Sequence, residues 1–264
     1  MAQTQITYDD QAALRVLGLE KTYGGGLTSQ TRALDGISFD VPRGQYVAIM
    51  GPSGSGKTTL LNCIATIDKP TAGQVFIGTQ NLSALRPRDL ADFRRKHLGF
   101  IFQDANLLDT ITVRENIALP LTIGKVKADE ILHRVEEIAL TLDVDDILDK
   151  YPYQISGGQK QRVAAARALV AHPRLMLADE PTGSLDSKNA KLLLEYLAHL
   201  HEDLGTSILM VTHDSYAASF TERVLFIRDG RIFTELMRGT SSRTEFFDAI
   251  VNVISSIGGA DNAR

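Results

Sequence analysis

The stretch GPSGSGKTTLLN, residues 51–62, is the most informative segment of this chain, and it follows the apolar run YVAIM at 46–50 without a break. Three glycines fall within six positions, just where a buried strand is expected to end. Glycine permits the dihedral angles and the close approach that backbone N–H groups need to wrap an anion. The helix expected after this loop directs the positive end of its dipole at the same anion. The stretch therefore predicts a polyphosphate-binding loop between a strand and a helix.

The order of residues in this loop matches the pattern G-x-x-x-x-G-K-[ST]. Lys57 would reach the β and γ phosphates, and the Thr58 hydroxyl would ligate Mg²⁺. A glycine-rich turn without a ligand is the alternative interpretation, but such a turn has no use for Lys57. The residues expected to surround the polyphosphate ahead of this lysine are Gly51, Pro52, Ser53, Gly54, Ser55 and Gly56.

A second apolar strand, LMLAD, leads into two successive carboxylates, Asp179 and Glu180. Asp179 can hold Mg²⁺ through the water shell of the ion, and Glu180 can polarise a water for in-line attack on the γ-phosphorus. One acidic residue after a strand is often only a turn or a helix cap. Two in succession, in a chain that already has a phosphate loop, indicate nucleotide hydrolysis.

Two further polar residues follow strand-like segments: Gln103 comes after LGFIF, and His213 comes after SILMVT. Ligands of open parallel sheets bind at the carboxyl ends of the strands, so both side chains could face the γ-phosphate. Taken alone, either residue would more often be structural. The phosphate loop and the carboxylate pair favour the functional interpretation of both.

The segment ISGGQKQR, residues 155–162, is a second set of glycines that opens a helix. It therefore predicts a second anion-binding helix terminus. One nucleotide does not need two such termini from the same chain. A symmetric pair of chains resolves the difficulty, because each phosphate loop could be closed by Ser156 and Gly158 of the partner.

Composition and charge narrow the class of protein. The chain has 264 residues and a net charge of −4, from 28 basic and 32 acidic side chains, which argues against nucleic acid as a partner. Residues 1–11 lack a basic region followed by an apolar segment, so no secretory leader is predicted. No stretch approaches the roughly 18–20 uncharged apolar residues of a membrane span. We therefore expect a cytoplasmic protein.

Strands that alternate with helices predict an α/β fold with a mostly parallel sheet. Two early segments, LRVLGLEKTY and GISFDVPRG, predict an antiparallel pair beside it. The helical section from about 87 to 169 is interpreted as an inserted subdomain of a single domain, 1–264. A C-terminal helix is expected at about 244–257, docked on the body through residues at helical spacing. Those residues are Phe246, Ile250, Ile254 and Ile257.

Together these segments resemble a known family. GPSGSGKTT, Gln103, ISGGQ, LMLADE, SLD and His213 occur in the order of an ABC-transporter ATPase subunit, and the resemblance covers nearly the whole chain. The segment ISGGQ corresponds to the signature segment of the family. It begins with Ile155 instead of the commoner leucine, which is a mild departure from the family pattern. The resemblance implies a P-loop NTPase core with an antiparallel β subdomain and an inserted α-helical subdomain.

The resemblance also implies a head-to-tail homodimer with two ATP molecules, each with Mg²⁺, at the interface. Tyr23 would stack on adenine, although a strand-end tyrosine without a ligand is the alternative. Thr59 would bind the α-phosphate, and Asp186 would cross the interface. Gln103 would sense the metal and the permease, while His213 would contact the γ-phosphate. The residues implied to close on the partner's ATP are Ser156, Gly157, Gly158 and Gln159.

A finer resemblance is to the antimicrobial-peptide resistance branch, the bacitracin-efflux type, carried by HLGFIFQDANLLDTITVRENIALPL and KYPYQISGGQKQR. Those ATPases lie on the inner face of the membrane with one large permease, which also engages a sensor kinase. The segment after Gln103 is where the family docks its permease. Leu107, Leu108 and Ile111 would be exposed there unless a partner covers them. The alternative is that they pack on the helical subdomain.

The resulting hypothesis is an ATP-hydrolysing motor that drives a permease acting on cell-envelope-targeting peptides. Lipoprotein-releasing, macrolide-efflux and cell-division ATPases share every ATP motif and are the alternative, but the segment 103–120 favours the peptide-resistance type. A small-molecule kinase would have no use for SGGQ or for two successive carboxylates. A DNA-repair or chromosome-associated ATPase would usually carry long coiled coils, and the acidic balance speaks against it.

Overall fold

The computed structural model describes residues 12–24 and 30–259. The segment 1–11, from which no leader is predicted, lies outside the described residues. In the described part, the strands are β1 Ala12–Tyr23, β2 Thr31–Pro42, β3 Tyr46–Met50, β4 Ala72–Ile77, β5 Gln80–Asn81, β6 Leu98–Ile101, β7 Leu175–Asp179, β8 Ile208–Val211, β9 Arg223–Arg228 and β10 Arg231–Met237. The helices are α1 Lys57–Ile64, α2 Pro87–His97, α3 Val113–Ile123, α4 Ala128–Thr141, α5 Gly157–Leu169, α6 Ser187–Leu204, α7 Ser215–Ala218 and α8 Arg243–Gly259.

The central layer is a six-stranded sheet in the order β10-β9-β3-β8-β7-β6. Its neighbours pair in parallel from β9 to β6, and only β10 runs antiparallel, as the second arm of a hairpin with β9. All five residues of β3 are buried, as expected for a strand covered on both faces. The predicted α/β fold with a mostly parallel sheet is confirmed.

The apolar core divides along the two faces of this sheet. Tyr46, Ala48 and Met50 pack with the helices α3 to α6 and α8, while Val47 and Ile49 pack towards the second sheet and α1. That second sheet has the order β2-β1-β4-β5 and is antiparallel throughout, so the predicted early antiparallel pair is present. The alternation along β3 therefore fixes which layer covers each face.

Helices α3, α4 and α5 pack against one another on one side of the central sheet. Thr112 starts α3 with a capping box, accepting a hydrogen bond from the Glu115 backbone N–H at 3.2 Å while the Glu115 carboxylate accepts one from the Thr112 N–H at 2.7 Å. Strand β6, which belongs to the central sheet, lies inside the range 87–169. The boundaries proposed for a helical subdomain stay a prediction.

The C-terminal helix α8 packs on the body through Phe246, Ile250 and Ile257, which are buried. The helical spacing predicts that Ile254 also faces the body, but its side chain is 37% exposed. The reason is geometric, because eight residues at 3.6 per turn leave Ile254 about 80° around the helix from Phe246. None of the helices in the described part of the chain is both long enough and apolar enough to cross a bilayer.

Candidate functional site

The phosphate loop joins the carboxyl end of β3 to α1, and close packing requires glycine at two of its positions. A Cβ on Gly51 would lie 2.1 Å from the Ile227 carbonyl oxygen. Gly56 has φ 101°, and a Cβ there would lie 2.4 Å from the Ala33 carbonyl oxygen. Gly56 is also the N-cap of α1 and offers no side chain to the first N–H groups of the helix. Those donors are therefore available to an anion.

Lys57, the first residue of α1, is buried and folds back over the loop. Its Nζ donates hydrogen bonds to the carbonyl oxygens of Gly51 at 2.9 Å and Pro52 at 3.0 Å. Burial lowers the pKa of Lys57, and the nearby carboxylates Glu180 and Asp179 oppose that shift. The ammonium group thus lies within the loop, where phosphate oxygens would replace the two carbonyls as partners.

A cavity of about 560 Å³ lies over this loop at the carboxyl edge of the central sheet. It is lined by Ala33, Gly51, Pro52, Ser53, Gly54, Gly56, Lys57, Thr58, Thr59, Glu180 and His213. The structure therefore brings most of the predicted loop residues together with the predicted base and the predicted γ-phosphate contact. Gln103, Tyr23 and the predicted partner-facing residues do not line it.

Asp179 ends β7, and its Oδ1 is buried without a hydrogen-bond partner among the described residues. Burial raises the pKa of this carboxyl, Glu180 raises it further, and Lys57 opposes both. A buried carboxylate oxygen without a donor is unfavourable, and a hard cation would relieve it. Carboxylate and hydroxyl oxygens suit Mg²⁺, so Asp179 and Thr58 fit the ion.

No group of three or more His, Cys, Asp or Glu side chains in the described ranges is arranged to hold a metal ion by itself. The remaining ligands of Mg²⁺ would be water and phosphate oxygens, which this ion commonly keeps. The donor set therefore fits an ion that arrives with a nucleotide.

Glu180 adopts a left-handed backbone conformation with φ 47°, which is unusual for a residue with a long side chain. Its N–H donates to the Val211 carbonyl at 2.8 Å, so the chain stays tied to β8 while it turns. Glu180 Oε2 lies 2.9 Å from Nδ1 of His213. The turn thus directs the carboxylate into the cavity beside the histidine, and local strain of this kind concentrates at functional sites.

Gln103 follows β6 with an exposed side chain that lies against Gly183, where a Cβ would come within 3.0 Å of Nε2. Its carbonyl oxygen accepts hydrogen bonds from Ser184 Oγ at 2.9 Å and from Gln161 Nε2 at 3.2 Å. The structure therefore places Gln103 beside the loop that follows Glu180, at the rim of the sheet edge.

The signature segment forms the N-terminus of α5. Ser156 is the N-cap and accepts from the Gln159 N–H at 3.3 Å, while Gln159 Oε1 accepts from the Ser156 N–H at 3.0 Å. A Cβ on Gly158 would lie 2.1 Å from Asn189 Oδ1, but one on Gly157 would meet no atom of the described chain within 4 Å. Packing within the chain thus explains Gly158, whereas Gly157 faces open space.

Asp186 caps α6, accepting hydrogen bonds from the N–H and the Nδ2 of Asn189 at 2.9 and 2.7 Å. These bonds lower the pKa of Asp186. Because Gly158 packs on the same asparagine, Asn189 joins the signature helix to the start of α6. Sequence reasoning missed Asn189, although Asp at an N-cap followed three positions later by Asn is a readable capping pattern.

Tyr23 ends β1 with a half-exposed ring outside the cavity lining. Its hydroxyl donates to Asp68 Oδ2 at 2.7 Å, and Lys21 Nζ lies 4.8 Å from the ring centroid. Burial and the bond to Asp68 raise the pKa of Tyr23, against a smaller opposing effect of the hydrogen bond with Thr59. Tyr23 therefore lies beside Thr59, which is one of the residues that line the cavity.

The segment after Gln103 divides between packing and exposure. Leu107 packs against the helical side of the core, Ile111 is half-buried, and Leu108 remains 46% exposed. Asn116, fully buried in α3, accepts from the Leu108 N–H at 2.8 Å and donates to its carbonyl at 3.0 Å. The backbone of Leu108 is thus fixed while its side chain faces outward.

Comparison with known proteins identifies the family. A family model described as ABC transporter matches residues 34–183. The chain is 52% identical over 247 residues to YvcR of Bacillus subtilis, an ABC transporter ATP-binding protein described as uncharacterized, covering 93% of this chain and 95% of the relative. It is 49% identical over 251 residues to the bacitracin export ATP-binding protein BceA of Halalkalibacterium halodurans, covering 95% and 99%.

Solved structures show the same fold. A dimeric ATP-binding cassette in a post-hydrolysis state, bound to ADP and phosphate, is similar with a TM-score of 0.77 and 38% identity, covering 85% of this chain and 98% of that chain. The cbiO1 protein of Clostridium perfringens, described as part of the ABC transporter complex cbiONQ, has a TM-score of 0.79 and 27% identity. That match covers 96% of this chain and 99% of the other. The resemblance stated from the sequence motifs is therefore confirmed.

Proposed function

This chain belongs to the ABC transporter ATPase family, and we propose that it is the motor of a transporter for resistance to cell-envelope-targeting antimicrobial peptides, of the bacitracin or lantibiotic type. The observation that carries this proposal is the 49% identity to a bacitracin export ATP-binding protein over almost the full length of both chains. The chain would lie on the cytoplasmic face of the membrane, bound to a permease that also engages a sensor kinase.

The substrate of the chemical step is ATP, which the cavity over the phosphate loop would take. The loop N–H groups and Lys57 would hold the β and γ phosphates, Thr59 the α-phosphate, and Tyr23 the adenine. Asp179 and Thr58 would hold Mg²⁺, which would neutralise phosphate charge. Two observations support these roles: Lys57, Thr58 and Thr59 line the cavity, and Tyr23 lies beside Thr59.

Hydrolysis requires a water oxygen to attack the γ-phosphorus while the bond from that phosphorus to the β–γ bridging oxygen breaks. Glu180 would accept a hydrogen bond from this water, orient it, and take up its proton as the new oxygen–phosphorus bond forms. His213, 2.9 Å from the Glu180 carboxylate, would hold that carboxylate in place and contact the γ-phosphate. Products are ADP and inorganic phosphate, and the leaving charge stays on ADP.

Two chains would close head to tail on two ATP molecules, each signature helix terminus facing the partner's γ-phosphate. The open space in front of Gly157 supports this arrangement, since nothing within the described chain occupies it. Ser156 and Gln159 form a reciprocal capping box within the single chain. They would keep these hydrogen bonds while the N–H groups at the start of α5 bind the partner's phosphate. Loss of the γ-phosphate would then let the halves part.

The proposal is tested in the organism that encodes the chain, by measuring inhibitory concentrations of bacitracin and of lantibiotics after deletion of the gene. We expect the deletion strain to become sensitive, the wild-type gene to restore resistance, and Lys57→Ala to fail to restore it. An antibiotic that acts inside the cell serves as the control, and its inhibitory concentration should not change.

Equal sensitivity of the deletion and parent strains to every envelope-targeting peptide would contradict the peptide-resistance role. Accumulation of unreleased lipoprotein, or sensitivity to macrolides alone, would instead support one of the alternative transport systems. Purification of the permease with the chain in mild detergent identifies which system is present.

A further inference from the structure

Gln161 is a buried side chain of α5 that contacts two loops at once. It is 1% exposed, and its Nε2 lies 2.6 Å from the Phe102 carbonyl oxygen, 2.9 Å from that of Pro181 and 3.2 Å from that of Gln103. A glutamine amide has two N–H donors, so one of them is shared between two carbonyls. A single amide group therefore joins the loop after β6 to the loop after β7.

A second side chain of α5 holds the rest of the loop after β6. Arg167 donates to the Ala105 carbonyl at 2.8 Å and to the Asn106 carbonyl at 2.7 Å. Burial lowers the pKa of Arg167, although the guanidinium stays charged. Gln161 and Arg167 together bind four of the five carbonyls in the loop 102–106. The backbone of this loop is therefore hydrogen-bonded to two side chains of α5.

The two loops that Gln161 joins carry the candidate residues Gln103 and Glu180. Pro181 directly follows Glu180, and the Phe102 and Gln103 carbonyls flank the start of the other loop. A change in the length or donors of residue 161 would alter the spacing between these loops. Helix α5 itself begins with the signature segment that is proposed to face the partner's nucleotide.

We propose that Gln161 is a positioning residue for hydrolysis, setting the separation of Gln103 and Glu180 and binding both loops to the signature helix. This inference rests on the roles assigned to Gln103 and Glu180 under the proposed function. Because the Gln161 amide contacts both loops, a shift of the loop after β6 would also displace Glu180 and the N-terminus of α5. Misplacement of reacting groups by about 1 Å can lower a rate by about a hundredfold.

The test replaces Gln161 with methionine, which has a similar length and volume but no donor. We expect kcat for ATP to fall by about tenfold or more, with the affinity for ATP unchanged within about twofold, because the phosphate loop is untouched. Gln80→Met makes the same change of side chain at an exposed position of β5, outside the cavity lining, and is the matched control that should retain wild-type kcat. Thermal melting of each variant reports whether it folds.

A double-mutant cycle separates positioning from general destabilisation. If Gln161 acts through the loop of Gln103, Gln161→Met should cost much less in the Gln103→Ala background than in the wild type. Additive losses of kcat would overturn the proposal. The same analysis with Gln80→Met should give no coupling.

Ser184→Ala provides a second variant in case Gln161→Met does not fold. Ser184 is exposed, and removing its hydroxyl deletes one bond to the Gln103 carbonyl without opening the core. We expect a smaller fall in kcat and unchanged melting. Wild-type kcat in Ser184→Ala and in any folded Gln161→Met would refute the positioning role, whereas full activity in Glu180→Gln would refute the site assignment itself.

Discussion

Asp179 has a buried carboxyl whose environment is unfavourable until a cation arrives. Its Oδ1 has no hydrogen-bond donor in the described structure, and burial followed by the charge of Glu180 raises its pKa. A raised native pKa means that the folded chain binds the proton more tightly than the unfolded chain does. The free energy of unfolding therefore falls as pH rises from the ordinary aspartate range to the raised native value, and the loss is complete above it.

The first prediction is that Asp179→Asn stabilises the nucleotide-free protein at neutral pH. The amide is isosteric and uncharged, so the loss of stability that the wild type shows with rising pH should be smaller in the variant. Melting midpoints of both proteins, measured without Mg²⁺ from pH 4 to pH 8, check this. A wild-type melting midpoint above that of the variant at pH 7 would show that the buried Asp179 carboxylate does not destabilise the nucleotide-free protein.

The same variant should lose the stabilisation that Mg²⁺ adds in the presence of ATP. Lys57 and the phosphate loop remain intact, so nucleotide alone should still raise the melting midpoint. The comparison therefore separates phosphate binding from metal binding within one site.

The second prediction concerns Glu180, whose left-handed backbone aims its carboxylate at the cavity. Glu180→Gln preserves the shape of the side chain but removes the charge that we propose orients the attacking water. We expect ATP hydrolysis to fall by about a hundredfold or more while ATP stays bound, and we expect a dimer to accumulate. Light scattering after size exclusion, with saturating ATP and Mg²⁺, measures the mass.

A Glu180→Gln variant that remains monomeric under those conditions would contradict the closed dimer. Lys57→Ala in the same assay is the control that should not dimerise, because its phosphate loop lacks the ammonium group.

The third prediction concerns the N-terminus of α5, where two adjacent glycines, Gly157 and Gly158, have different surroundings. A Cβ at residue 157 would meet no neighbour, and alanine favours a helix over glycine, although by less at this first helical position than the roughly 1 kcal/mol of a helix interior. We expect the variant to melt no lower than the wild type and yet to lose ATP-driven dimerisation. Loss of association in a chain of full stability would require that the open space is filled by a partner.

Gly158→Ala is the contrasting variant, because its Cβ would collide with Asn189. We expect it to lower the melting midpoint as well as dimerisation. Unchanged dimerisation in Gly157→Ala would show that the space in front of α5 has no role in assembly.

The order of strands and helices could be predicted from the sequence because the apolar runs are short, separated by glycine-rich turns, and interrupted by amphipathic helices. The phosphate loop could be predicted because few other structures explain three glycines and a lysine directly after a buried strand. Ile254 could not be placed from its spacing alone, since which side of α8 meets the body depends on tertiary packing. The contacts of Gln161 and Asn189 join segments that are distant in sequence, so no local pattern reveals them.

Across the whole molecule, the cavity over the phosphate loop and the exposed Leu108 are separate features, and α5 connects the segment before Leu108 to the proposed nucleotide interface. Leu108 follows the loop 102–106, which α5 holds through Gln161 and Arg167. A permease docked at Leu108 would therefore act on α5, the helix that begins with the signature segment. Under the proposed function, this arrangement would couple contact with the permease to the nucleotide interface.

The fourth prediction follows from the way Leu108 is presented. Asn116 fixes its backbone, so its exposed side chain requires little ordering on contact with an apolar partner surface. Leu108→Glu should reduce permease recovered with the chain from membranes in mild detergent by about tenfold or more, as expected for a central interface residue. ATP-driven dimerisation of the purified chain should not change, because the substitution leaves the cavity and the α5 N-terminus untouched.

Leu140→Glu is the matched control for this experiment, because Leu140 is also an exposed leucine, at 65%, but lies on α4. It should recover as much permease as the wild type. That result would show that an added negative charge alone does not cause the loss seen with Leu108→Glu. Equal losses in both variants would indicate a general effect of charge at the membrane, and full recovery with Leu108→Glu would place the docking surface elsewhere. Only a loss confined to Leu108→Glu supports a permease seated on the segment that α5 holds.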